Sequence, residues 1–279
     1  MKVSLIVKIV FFFFLILTGR LVLSAKEPQV ISSWAINPVK VDGSADDWTD
    51  VSFHSEKKLS IDYAFKNDGQ HLFIIFKFKD PRYLSTIRET GITIWFNLEG
   101  KRKKHYGLNF VKEKLPAEAF ISYLEHRKGP LSEEEKNNIK RNPFYFIHRV
   151  KVINKKAKSS ASTSGQEVEL AVFRQSVHNK EVVYEFSIPL KRETAQTIGV
   201  GSAPGKVVKV GFEWGGLTAQ MKAARAARSQ LQAETPMRPA VSPQSAIDRG
   251  TGARGTPRIG LGAKKYLFWV DVELAAGSD

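Results

Sequence analysis

The chain has no cysteine in its 279 residues. That absence excludes a disulfide framework, thiolate metal ligation, a lipid-modified cysteine and a cysteine nucleophile, so stability has to come from an ordinary apolar core. Methionine is nearly as scarce: beyond the first residue there are only Met221 and Met237. His54, His71, His105, His126, His148 and His178 follow no metal-ligand spacing. No HExxH, GxSxG or glycine-rich phosphate loop is present. The chain therefore reads as a non-enzyme. Acids are short as well, 28 against 43 Lys and Arg, which leaves a net charge of +15.

What is present begins with a leader-like segment. Lys2 and Lys8 precede the unbroken apolar run from Ile9 to Leu17, and Leu23-Ser24-Ala25 offers a small residue at a cleavage point. This pattern predicts a signal peptide over 1–25 and an exported protein, periplasmic or extracellular. Gly19 and Arg20 cut the run well short of the roughly 20 apolar residues a spanning helix needs, and no later stretch is long enough. Loss of 1–25 removes Lys2, Lys8 and Arg20 and lowers the net charge to +12. The remaining length suits one large β domain over 26–279, and 18 Phe with 5 Trp can fill its core.

Alternation of period two dominates the chain. Leu59, Ile61, Tyr63 and Phe65 alternate with polar or small residues; after Asn67-Asp68-Gly69, Leu72, Ile74, Phe76 and Phe78 alternate with Phe73, Ile75, Lys77 and Lys79. The two predict a hairpin whose turn places Gly or Asn at positive φ. Further strands are expected at Ser32 to Val41, Gly91 to Leu98, Tyr106 to Val111, Phe144 to Ile153, Glu167 to Val177, Glu181 to Leu190, Val207 to Trp214 and Tyr266 to Leu274. Pro38 restricts the first to an edge. Between 116 and 142 the period changes: Ala119, Phe120, Tyr123 and Leu124 fall at helical spacing, and Ser132 with Glu135 makes a capping box. This is read as a short helical insertion. Residues 215–263 hold no aromatic residue and carry five net positive charges, and they are expected to form a flexible basic insertion. The fold class expected is mainly β, an antiparallel, jelly-roll-like sandwich.

Motif order adds a resemblance. Val41-Asp42-Gly43-Ser44-Ala45-Asp46-Asp47-Trp48, then the hairpin ending at Asp80-Pro81, then Tyr184-Glu185-Phe186-Ser187-Ile188-Pro189-Leu190 and Phe268-Trp269-Val270-Asp271, resembles the family 9 carbohydrate-binding modules and their DOMON-like relatives. The resemblance implies a β-sandwich that binds oligo- or polysaccharide through aromatic side chains, often beside a structural calcium. Fold analogy alone does not establish such a function.

Sugar rings stack their C–H faces on indoles, so the useful Trp stands opposite the core among polar neighbours. Trp95, between Thr93 and Asn97, and Trp269, sharing its parity with Asp271 and Glu273, meet that test. Trp214 ends its strand near a rim. Each is equally a core residue if helices cover the sheet. Asp42 and Asp80 are the carboxylates to consider for calcium, although turn formation explains Asp42 without a metal. Lys101, Arg102, Lys103 and Lys104 form the densest basic run. It suits an anionic partner, or a charged hairpin tip that keeps an edge soluble. No nucleic acid partner is expected. The alternatives to a carbohydrate module are an envelope scaffold or accessory protein contacting a protein or anionic partner, and a haem-binding DOMON-like domain.

Overall fold

The computed structural model describes residues 29–80, 82–154, 171–178, 181–194, 197–217, 221–224, 226–227 and 264–277. The leader over 1–25 and most of the 215–263 insertion lie outside them.

Among the described residues, twelve strands form two packed sheets. They are β1 (Gln29–Ile31), β2 (Ser33–Trp34), β3 (His54–Glu56), β4 (Ile61–Asn67), β5 (His71–Phe78), β6 (Ile92–Asn97), β7 (Tyr106–Pro116), β8 (Phe144–Asn154), β9 (Val172–His178), β10 (Glu181–Pro189), β11 (Val207–Gly215) and β12 (Lys265–Glu273). The first sheet runs β1-β12-β11-β6-β7-β8, and the second runs β2-β4-β5-β10-β9 with β3 also on β4. Helix α1 (Arg82–Thr90) joins β5 to β6, while α2 (Ala117–Lys128) and α3 (Glu133–Lys140) lie between β7 and β8.

The expected antiparallel sandwich is present with one correction. β1 pairs parallel to β12, and β2 pairs parallel to β4, so both sheets are mixed. The expected strand over Ser32 to Val41 is shorter, begins earlier and divides between the two sheets at buried Ser32. Beyond Trp34 the chain leaves the ladder before Pro38, which has no N–H to give it, and Ile36 points into solvent.

Inward positions of both sheets build the main core. Phe76 meets Phe212 edge-on at 4.5 Å, and Phe110 meets Phe186 at 4.9 Å, the T-shaped contacts that opposed aromatic faces favour. The expected β4–β5 hairpin is formed, with Tyr63 opposite Phe76 and Phe65 opposite Ile74. Its turn works differently from the expectation: the Asp68 carboxylate accepts the amides of Gln70 at 2.7 Å and His71 at 2.5 Å. An Asx turn of this kind does not need a positive φ.

The second sheet is buried on both faces. On its outer side Ala64, Phe73, Ile75 and Val183 pack with Trp48 under Val39, Val41, Val51 and Phe53 of the 35–53 strap. Glu185, 1% exposed on β10, anchors that strap. Its carboxylate accepts Trp48 Nε1 at 2.6 Å, the Gly43 amide at 2.7 Å and the Asp42 amide at 3.0 Å. Gly43 holds φ +89°, and a Cβ there would lie 3.0 Å from the Gln175 backbone, so glycine is required on both counts. The Asp-Gly…Trp opening and the late Glu strand thus meet as one structural clamp.

Helix α1 was not expected. It turns Tyr83 and Ile87 into the core at i, i+4 spacing, with Leu84 packed beside them. Helices α2 and α3 follow the expected insertion. The Ser132–Glu135 capping box is formed, and Phe120 stacks on Tyr145 of β8 at 4.2 Å.

Candidate ligand-binding face

The outer face of the first sheet collects three of the residues singled out from sequence, Trp95, Asn97 and Trp269. β6 turns Ile92, Ile94 and Phe96 to the core, which leaves Thr93, Trp95 and Asn97 on the other side. In the β-sheet register Trp95 lies opposite Gly211, and Gly211 lies opposite Trp269. Trp95 is also opposite Gly107 on the other flank. The row across the sheet is therefore Trp269, Gly211, Trp95, Gly107. Two strand spacings separate the two tryptophans, about 10 Å.

The glycines make room for the rings. A Cβ at Gly107 would lie 2.7 Å from Trp95, and a Cβ at Gly211 would lie 2.6 Å from Trp269. Each indole lies over its neighbour's bare backbone. Any side chain at either glycine would push the ring away from the sheet.

Charged and amide groups flank the row. On one side Glu213 accepts Trp95 Nε1 at 3.2 Å and pairs with Lys104 at 2.5 Å and with Lys265. Burial opposes ionisation of Glu213, yet the hydrogen bonds from Lys104 and Lys265 hold its carboxyl below the usual glutamate value. On the other side Lys209 pairs with Asp271 at 2.8 Å. Next to Trp95, Asn109 Nδ2 donates to Thr93 Oγ1 at 2.9 Å.

The face is closed in this state. Trp95 is 3% and Trp269 8% exposed. Strand parity located the face but carried no information about what lies over it. Asn97 shares the face and closes a turn, its Oδ1 accepting the Glu99 amide at 3.0 Å and the Lys101 amide at 2.9 Å. Trp214 lies elsewhere: on the inward parity of Val208, Val210 and Phe212 it is 2% exposed, stacks on Tyr266 at 5.4 Å and meets Tyr83 edge-on at 5.6 Å. Helix α1 covers what the sequence left as a rim. Trp214 Nε1 has no acceptor among the described residues.

The carboxylates considered for calcium lie apart from this face. Asp42 caps its own turn through the Ser44 amide at 2.8 Å and pairs with Lys40 at 3.0 Å. The Asp80 carbonyl accepts the Tyr83 amide at 3.2 Å where α1 begins. In the basic run, Lys101 pairs with Glu99 at 3.1 Å, and Lys104 is held by Glu213.

The residue that sequence reasoning missed is Glu213, the acceptor on which Trp95, Lys104 and Lys265 converge. Its signal was available: one acid inside Val207 to Trp214, on the parity opposite Phe212.

No family model matches the chain, and no curated protein does. Among solved structures, a family 9 carbohydrate-binding module from Caldicellulosiruptor kristjanssonii in complex with cellotriose is similar over 69% of this chain and 79% of its own. It is 10% identical, with a TM-score of 0.36. The module from the same organism in complex with glucose is similar over 69% of this chain and 81% of its own, at 10% identity and a TM-score of 0.35.

Proposed function

We propose that this protein is an exported, non-catalytic binding module for carbohydrate, and that it engages its ligand on the outer face of the first sheet around Trp95 and Trp269. The observation that carries the reading is the register Trp95–Gly211–Trp269. It sets two indoles on one flat surface, spaced for a short oligosaccharide, with hydrogen-bonding groups on both sides. Sugar C–H faces would pack on the rings, and hydroxyls would reach Glu213, Lys209, Asp271, Thr93 and Asn109. The motif order of the sequence points the same way.

Ligand entry requires Lys104 and Lys265 to leave Glu213. Both are solvent-accessible lysines, Lys265 the more so. The Glu213 side chain is only 12% exposed, so sugar hydroxyls must take over the hydrogen bonds that the lysines give its carboxylate. Export rests on the leader-like 1–25 segment; among the described residues no helix is long and apolar enough to cross a membrane.

Affinity electrophoresis of residues 26–279 through gels containing different neutral polysaccharides tests the reading. Retardation on at least one polysaccharide, reduced by Trp269→Phe with the fold intact by circular dichroism, is expected. Mobility unchanged in every gel overturns it.

A further inference from the structure

The open aromatic rings lie far from the tryptophans. Phe144 is 41% and Phe146 49% exposed. Two residues apart on β8, they share the side on which Val150 and Val152 pack on the core further along the strand. Their rings meet edge-on at 5.7 Å. Lys114 Nζ stands 3.5 Å from the centre of the Phe144 ring, and Lys112 Nζ stands 5.0 Å from that of Phe146. Among the described residues neither lysine pairs with a carboxylate. Glu113, between them in sequence, points to the opposite face and is held there by Arg149 at 3.1 Å and Lys151 at 2.6 Å.

The field along this strand is positive on both faces. His148 follows Phe146 on the same side; burial, then the charges of Arg174 and Lys112, hold its imidazole below the ordinary histidine value. The backbone adds a second element. β8 is 11 residues long, stands at the end of its sheet and pairs only with β7 among the described residues. A long edge strand is a template for a further strand.

We propose that the β8 edge, with Phe144, Phe146, Lys112 and Lys114, docks an extended acidic segment of another protein as an added strand. Main-chain hydrogen bonds to β8 would supply the register, the two phenylalanines an apolar ledge, and the lysines the selection for acid over base. Charge decides the occupant. A second copy of residues 26–279 brings +12 (15 less Lys2, Lys8 and Arg20) against a basic edge, and the chain's own acid run, Glu133 to Glu135, already forms the first turn of α3. This surface shares no residue with the tryptophan face, so either assignment can fail alone.

Fluorescence anisotropy with a labelled peptide alternating glutamate and valine, added to residues 26–279, tests the proposal. A lysine–valine peptide, a sulfated polysaccharide and anionic lipid vesicles serve as comparisons. The glutamate peptide should bind and protect main-chain amides of 144–154 from hydrogen exchange. K112E/K114E and F144S/F146S should each weaken it about tenfold. All four side chains lie on the surface, so both variants should melt near the parent; if either fails to fold, exchange protection in the parent chain decides. No peptide binding, binding indifferent to both variants, or binding without amide protection overturns the proposal. So does a polysaccharide or vesicle that binds as tightly and is lost in the same variants.

Discussion

Trp48 Nε1 donates to Glu185 Oε1 at 2.6 Å, joining residues 137 positions apart in the chain. The bond fastens the 35–53 strap across the outer face of the second sheet. Burial raises the Glu185 carboxyl above its ordinary value even though three donors favour its charge. Trp48→Phe keeps most of the packing and removes one donor from a buried acceptor. It should cost roughly 1–3 kcal/mol in urea denaturation. A loss within measurement error would show that the clamp contributes nothing.

Gly211 is needed by a ring, not by a turn. Gly211→Ala should push Trp269 off the sheet and destabilise by about 1–3 kcal/mol, the usual result of overpacking. Gly69→Ala meets nothing within 4 Å and should change stability by less than about 0.5 kcal/mol. Thermal melts of the pair check this, and equal melting temperatures would contradict it.

Glu213 gives the tryptophan face a pH dependence with a definite sign. Against the opposing effect of burial, the hydrogen bonds from Lys104 and Lys265 hold its folded carboxyl below the ordinary glutamate value of about 4.5. The stabilisation is therefore fully present above pH 4.5 and is lost as pH falls through the lower folded value. Protonation should release Lys104 and Lys265 and change the environment of Trp95. Tryptophan emission should shift in that acidic window before global unfolding, and Glu213→Gln should abolish the step. A step that persists in Glu213→Gln would place its origin elsewhere.

Period-two alternation was enough to locate the β4–β5 hairpin, and the change of period located α2 and α3. Local pattern ended there, for physical reasons. Helix α1 has few apolar residues, and Tyr83, Leu84 and Ile87 are too sparse a stripe to announce it. Asn67-Asp68-Gly69 reads as a turn requiring positive φ, whereas the Asp68 carboxylate closes it. Parity placed Trp95 and Trp269 opposite the core because a strand fixes its faces. It could not show them buried, at 3% and 8% exposure, since burial depends on residues distant in sequence. Trp214 was misjudged for the same reason, because the rim it was expected to occupy is filled by α1. The role of Glu185 also required the fold, since its partners come from the opposite end of the chain.

In the proposed function, saccharide reaches Trp95 and Trp269 by displacing Lys104 and Lys265 from Glu213. Calorimetric titration of the Lys104→Ala/Lys265→Ala double variant of residues 26–279, with an oligosaccharide of the polymer that retards the parent, tests it most directly. With the lysines gone the Glu213 carboxylate is free of both partners, and affinity should rise by about threefold to tenfold, the equivalent of removing roughly 1 kcal/mol of ion pairing. Affinity unchanged or reduced in a folded double variant would contradict the account.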